Sequence, residues 1–294
     1  MTVSESTLFS QQLDCDLLNL HIENIARLYP FIKIGYIGNT LLGRKIPLLC
    51  FGVGGGHSVM YLGGEEADDG ICPSLLLKFL YDICRCKARG ETLFGTNIPY
   101  LFESRKIYVL PMLNLDGKTL NLYGKDDKNP LTDRIEKLSC GNFSKWRANS
   151  RGVDLKRNYN VSFKKMSDIS FSSHVSTGVC HSFCGEYPES EPEVSSVSNF
   201  LRYTEPSLLM SFDTDGEGVI VENSSTPHTS RLVSHISAIT SQKVEYAKKD
   251  HIGVSGWYAK ETGKSAVSVS LKQEDGERTY RLLRQLLFSL PSIM

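Results

Sequence analysis

The run Tyr61 to Gly70, YLGGEEADDG, places Glu65, Glu66, Asp68 and Asp69 directly after an apolar stretch and two glycines. Carboxylates this close repel one another, so a positive side chain or a bound cation must stand beside them for the segment to pack. Three other runs carry residue types used in chemistry. Cys180-His181-x-x-Cys184 has the composition of half a metal site, but no second Cys/His pair at zinc spacing follows, and it reads as loop. Val53-Gly54-Gly55-Gly56 lacks the Lys-Ser or Lys-Thr that follows in a phosphate-binding loop and fits a hairpin better. Arg85-Cys86-Lys87-Ala88-Arg89 ends a helical pattern, where cations complement the C-terminal dipole.

The carboxylate run needs elements to hold it, and the hydrophobic pattern around it supplies them. Leu17, Leu18, Ile22, Ile25 and Leu28 recur at helical spacing and predict an opening helix over 13–30, closed by Pro30. The β-rich runs KIGYIGNT, KIPLLCFGVG and SVMYLGG then begin a sheet. ICPSLLLKFLYDICRC predicts a helix with Pro73 in its first turn, and RKIYVLPMLN a buried strand. Downstream follow a helix in SEPEVSSVSNFLRYT, strands in SLLMSFDT and GVIVEN, a helix over 230–241, strands in KVEYAK and SAVSVSL, and a closing helix in ERTYRLLRQLLFSL. This alternation predicts an α/β sandwich, as one domain over 1–294. The polar stretch 118–145 and the serine-rich stretch 162–184 are predicted as long loops, where a binding funnel is commonly built.

Lys plus Arg and Asp plus Glu each total 33, so no global field recruits nucleic acid or an anionic membrane; a partner must be found through a local site. No run of about 18 apolar residues predicts a membrane span. The start, MTVSESTLFSQQLDC, does not read as a secretory signal. Cys50, Cys72 and Cys84 lie in apolar contexts that suit reduced thiols in a cytoplasmic protein.

Taken in order, GGEEADD, LPMLNLDG, WRANSRGVDLKRNYN, GEYPESEPEV, SFDTDGEG and AVSVSL resemble the zinc carboxypeptidase family, peptidase family M14. The nearest likeness is to its bacterial γ-D-glutamyl-diamino-acid peptidases, which cut peptidoglycan stem peptides. The resemblance runs through nearly the whole chain and implies a three-layer α/β/α sandwich with a mixed, twisted central sheet. In that family H-x-x-E supplies two zinc ligands and S-F-H the third; the matching positions here are Glu65, Asp68 and Asp213. The family's catalytic glutamate, in a T-x-E-L strand, matches Ser270, whose hydroxyl is no base near neutral pH. A peptidase zinc relies on two imidazoles and one carboxylate, which leave the ion enough charge to acidify water. Three carboxylates suit Ca²⁺, Mg²⁺ or Mn²⁺ better.

By the same resemblance, Arg147 stands at the oxyanion-stabilising arginine. Lys156 and Arg157 match the Asn-Arg pair that grips a substrate's terminal carboxylate, with lysine replacing asparagine. Asn114-Leu115-Asp116-Gly117 and Gly185 to Glu193 match motifs that build the fold. Ser190 is expected to cap a helix there, with Glu193 completing a capping box. Trp257 matches a D-W pair, and Tyr258 is the nearest counterpart of the cleft tyrosine.

These readings imply a catalytically degenerate pseudopeptidase with no resident cofactor. Its basic cleft, formed by Arg147, Lys156 and Arg157, binds a peptide or amino-acid derivative through a free carboxylate. Glu65, Asp68 and Asp213 then pair with Arg147 or Arg157. Three alternatives stay open: a hard divalent cation on the three carboxylates; an active metal-dependent peptidase or amidase on peptidoglycan-type peptides, with His57 or His181 as replacement ligands; and a structural or interaction protein whose own loops fill the cleft.

Overall fold

The computed structural model describes residues 4–125, 129–161, 163–172, 182–222, 227–240, 242–248 and 251–294. Its strands are β1 (Lys33–Asn39), β2 (Lys45–Phe51), β3 (Ser58–Leu62), β4 (Thr92–Leu93), β5 (Thr96–Asn97), β6 (Lys106–Leu110), β7 (Leu208–Asp213), β8 (Gly218–Val221), β9 (Val244–Tyr246) and β10 (Ser265–Ser270). All but the β4–β5 hairpin join one mixed sheet in the order β1-β2-β6-β3-β7-β10-β8-β9. The central strands β6, β3, β7 and β10 run parallel, while β2 and β8 pair antiparallel to them on either side. Parallel strands deliver their C-terminal ends to one edge, where ligand sites of open α/β sheets form.

The helices are α1 (Cys15–Leu28), α2 (Cys72–Arg89), α3 (Ile98–Ser104), α4 (Leu115–Tyr123), α5 (Thr132–Ser139), α6 (Phe163–Ser172), α7 (Pro192–Thr204), α8 (Pro227–Ile239), α9 (Val254–Thr262) and α10 (Gly276–Ile293). Side-chain alternation along the strands assigns them to two faces. Tyr61 of β3 donates to the Leu287 carbonyl of α10 at 2.8 Å and meets the Phe79 ring of α2 at 5.3 Å. Met60, on the opposite face, is in register with Tyr108, whose ring lies 5.2 Å from Phe200 of α7. Ser211, level with Leu62, bonds Ser255 of α9 at 2.8 Å. Helices α2 and α10 therefore cover one face and α7 and α9 the other, which is the α/β sandwich expected from the alternation. Phe79 and Phe288 are fully buried, and truncating either to alanine costs about 3–5 kcal/mol.

Local chemistry starts and stops the helices. Asp14 accepts from Leu17 N–H at 2.7 Å and begins α1 two residues later than 13–30 implies, while Tyr29 closes it before Pro30. Gly90, at φ +67°, ends α2 in a left-handed cap.

Three local expectations are corrected. The stretch 118–145 is not a plain loop: α4 runs to Tyr123, and α5 forms because Ile135, with Leu131 and Leu138, packs on Trp146 in a small second core. Within 162–184, α6 occupies Phe163–Ser172; 173–181, including Cys180 and His181, lies outside the described residues. Ser190 does not cap α7. The N-cap is Glu191, with Pro192 following, and the Ser190 hydroxyl meets the Glu191 and Asn158 side chains instead.

Candidate functional site

The β3 strand runs into Gly63 and Gly64, and the backbone there passes so close to the 110–114 segment that a Cβ on Gly64 would lie 2.9 Å from the Met112 Cα. With φ at +64°, Gly64 is the residue type this turn admits. The turn is stitched to the segment carrying Arg147: Ala67 N–H donates to the Arg147 carbonyl at 3.0 Å, and the Asn114 amide donates to the carbonyls of Glu65 and Arg147 at 3.1 and 3.3 Å. Downstream, Asn149 Oδ1 accepts from the N–H groups of Arg151 and Val153, and the Asn158 amide donates to the carbonyls of Cys184 and Tyr187. Between these clamps a 3-10 turn, Leu155–Arg157, points Leu155 and Lys156 into the protein and leaves Arg157 half-buried. Neighbouring residues of so tight a turn face different directions, which separates the two cations of the Lys-Arg pair.

Lys156 enters the mouth of the parallel strands. Its Nζ lies 2.7 Å from Asp215 Oδ2, 3.1 Å from Asp213 Oδ2 and 3.5 Å from Glu66 Oε1. Beside it, Arg147 Nη2 donates to Glu66 Oε1 and Asp215 Oδ1, and its Nε stands 3.4 Å from Asp68 Oδ1 without hydrogen-bond alignment. Glu65 accepts from the Tyr159 hydroxyl at 2.8 Å, and Ser268 donates to Asp213 Oδ2 at 3.3 Å. The fourth acid of the opening run does different work: Asp69 Oδ1 accepts from the N–H groups of Ile71 and Cys72, where the N-terminus of α2 favours negative charge.

Burial and mutual charge set the protonation of this cluster. Burial pushes Glu65 up to about 7, against the pull of Lys156 and Tyr159. Burial likewise raises Glu66, which shares its surroundings with Asp215. Burial works against ionised Lys156, but Asp213, Glu66 and Asp215 outweigh it and hold the ammonium well above the ordinary lysine value. Burial also opposes an ionised Asp215, yet Lys156 and the hydrogen bonds of the cluster keep its carboxyl far below the usual range.

The residues singled out in the sequence are brought together unevenly. Glu65, Asp68, Asp213, Arg147 and Lys156 converge, and Ser270 pairs in register with Asp213 at the same strand edge. Arg157 turns instead to Asp154 at 3.0 Å and to the Met166 sulfur, so pairing of the carboxylates with Arg157 is corrected: Lys156 takes that part. His57 is exposed at the far end of β3 beside Ser207, too distant to serve as a ligand near Glu65. Tyr258 is buried and donates to the Pro206 carbonyl, away from the cleft. Glu66, named in the opening acidic run but given no site role, completes the cluster with Asp215, Tyr159 and Ser268, which were not singled out. Glu66 and Asp215 each neighbour a candidate residue, and that proximity was the available signal.

The donor set does not fit a catalytic zinc. Glu65, Asp68 and Asp213 offer oxygens only, and these face Tyr159, Arg147 and Lys156 respectively. Among the described residues no group of three His, Cys, Asp or Glu side chains is arranged to hold a metal ion.

Residues 18–279 match the family model for zinc carboxypeptidases, peptidase M14, and the chain belongs to that family. It is 23% identical over 265 residues to γ-D-glutamyl-L-diamino acid endopeptidase 1 of Lysinibacillus sphaericus, covering 89% of this chain and 66% of that protein. The chain thus spans just under two thirds of that relative's length. Among solved structures, thrombin-activatable fibrinolysis inhibitor superposes with a TM-score of 0.70 at 18% identity, covering 99% of this chain and 76% of that one. Murein-tripeptide amidase MpaA from Escherichia coli O157 gives 0.56 at 17% identity, covering 88% and 91%. These two likenesses concern the fold. Among the described residues no helix is long and apolar enough to cross a membrane.

Proposed function

We propose that this chain is a catalytically degenerate member of the zinc carboxypeptidase family that binds, without cutting, a peptide or amino-acid derivative through a free carboxylate at Arg147. The observation that carries the reading is the Lys156 ammonium among Asp213, Asp215 and Glu66. A tethered cation there provides the positive charge that the acids need and leaves no room in their coordination for a Lewis acid. Ser270, at the position matched to the catalytic glutamate, provides no general base. Arg147 keeps what binding requires: a planar fork of donors, 29% exposed, facing the strand ends. The relatives' names support the ligand class proposed here, a γ-D-glutamyl-diamino-acid peptide of the murein type. Cys72 and Cys84 are buried thiols outside any disulfide, which supports a cytoplasmic setting.

Incubation of the protein with zinc and a γ-D-glutamyl-diamino-acid peptide, followed by assay of released amine, tests the catalytic part; no release above buffer is expected, and turnover establishes an active hydrolase instead. Calorimetric titration of the same peptide into wild type and Arg147→Ala tests the binding part. Loss of binding in the variant is expected, and equal affinities remove Arg147 from the reading.

A further inference from the structure

We propose that Asp215 is a built-in occupant of the carboxylate site, and that a ligand binds by exchanging its own carboxylate for that of Asp215. The inference rests on the carboxylate-binding reading above and names the group that competes with the ligand. One carboxylate bridges both cations: Asp215 Oδ1 accepts from Arg147 Nη2, and Oδ2 lies 2.7 Å from Lys156 Nζ. A ligand carboxylate gripping the same pair would present its oxygens to the same two donors.

Three features mark Asp215 as the member that leaves. Its side chain is 38% exposed, against 4% for Glu66 and 7% for Asp213, so it withdraws into water without opening the core. It lies between β7 and β8, outside the sheet ladders, held by its own N–H to Asp213 Oδ1 at 3.1 Å and by the neighbouring contact of Thr214 with Gln273. Finally, neither cation is abandoned when it goes: Arg147 retains Glu66 and Asp68, and Lys156 retains Asp213 and Glu66. Exchange of one carboxylate for another preserves the net charge of the cluster, so the ligand adds no unpaired buried charge. An occupant tethered in the same chain competes at a high effective concentration, which weakens apparent affinity for the ligand.

Removing the occupant tests this. Thermal unfolding of wild type, Asp215→Ala and Glu217→Ala is compared in sodium acetate and sodium chloride at equal ionic strength. Glu217 lies on the same connection but pairs with exposed Lys272, outside the site. Acetate is expected to raise the melting temperature of Asp215→Ala by several degrees over chloride and to leave the other two unmoved. In parallel, an acyl-dipeptide with a free carboxylate should bind Asp215→Ala at least tenfold more tightly than wild type. Should the alanine variant fail to fold, Asp215→Asn, which keeps the side-chain volume, is expected to gain affinity in the same direction. No acetate effect together with unchanged dipeptide affinity overturns the inference; the carboxylate reading survives if Arg147→Ala still loses binding. If neither wild type nor Asp215→Ala binds the dipeptide, both fall together.

Discussion

Asp213 and Asp116 are both buried acids close to the strand ends, but they sit in polar clusters of opposite construction. Asp116 belongs to the framework behind the site, where it accepts from Thr40, Leu42 N–H, Arg44 and Ser150. The asparagines of that framework, Asn114, Asn149 and Asn158, are neutral amides bonded largely to backbone carbonyls and N–H groups. Most of these bonds tie separate segments together through neutral groups and depend little on charge; the Asn149 contact with Glu191 and the Arg44–Asp116 pair are the charged exceptions. Asp213 belongs to a cluster in which charge meets charge, contributed by four separate segments around residues 65–68, 147, 156 and 213–215. There the members are held by mutual neutralisation, and one substitution changes the balance for all. The contrast separates what builds the fold from the cluster proposed to bind a ligand.

The largest expected effect tests the charged cluster. Lys156→Met leaves Asp213, Asp215 and Glu66 without their shared ammonium, and a loss of about 3–5 kcal/mol by denaturant unfolding is expected, as for a buried pair stripped of one partner. A loss near zero would mean that the cluster is held like the framework.

Glu65→Gln gives the next effect, and it depends on pH. Burial raises the folded Glu65 from 4.5 to about 7, so between those values the native state keeps a proton that the unfolded chain has lost. Wild-type stability from this group therefore falls as pH rises through that window. Relative to wild type, the glutamine variant should gain up to about 3 kcal/mol from pH 4.5 to above pH 7, read from paired unfolding curves. A flat difference refutes the assignment.

In the framework, Asn158→Ala removes donors to Cys184 and Tyr187 and the acceptor of Glu191 N–H, for an expected cost of about 2 kcal/mol that does not change with pH. Titration-dependent loss would blur the contrast. The smallest effect belongs to Arg157→Ala: its pairing with Asp154 is partly exposed, so stability should change by no more than about 1 kcal/mol.

Legibility in the sequence followed the same division. The framework was readable in part: the family resemblance marked Asn114 to Gly117 as fold-building and glycines 63 and 64 marked a tight turn, but the clamping roles of Asn149 and Asn158 join distant segments and leave no local signal. The alternation of buried strands with helices likewise announced the sandwich. The charged cluster was legible in membership but not in pairing. Glu65, Asp68, Asp213, Arg147 and Lys156 stood out as residues, yet which cation turns inward is decided by the pitch of the 155–157 turn, which leaves no pattern in residue type. Asp215 escaped notice although it lies two residues from Asp213, because an acid on a strand connection resembles any exposed loop residue. The helix over Thr132–Ser139 was missed since its apolar contacts are few and its composition is polar.

In the proposed reading Lys156 provides the positive charge that a metal provides in a zinc carboxypeptidase. Metal analysis of the wild-type protein, purified after growth with added zinc and dialysed against metal-free buffer, tests it most directly. The expected result is far less than one zinc per chain, with a melting temperature unmoved by Zn²⁺, Mn²⁺, Mg²⁺ or Ca²⁺. One tightly held zinc per chain, with a matching rise in melting temperature, would contradict it.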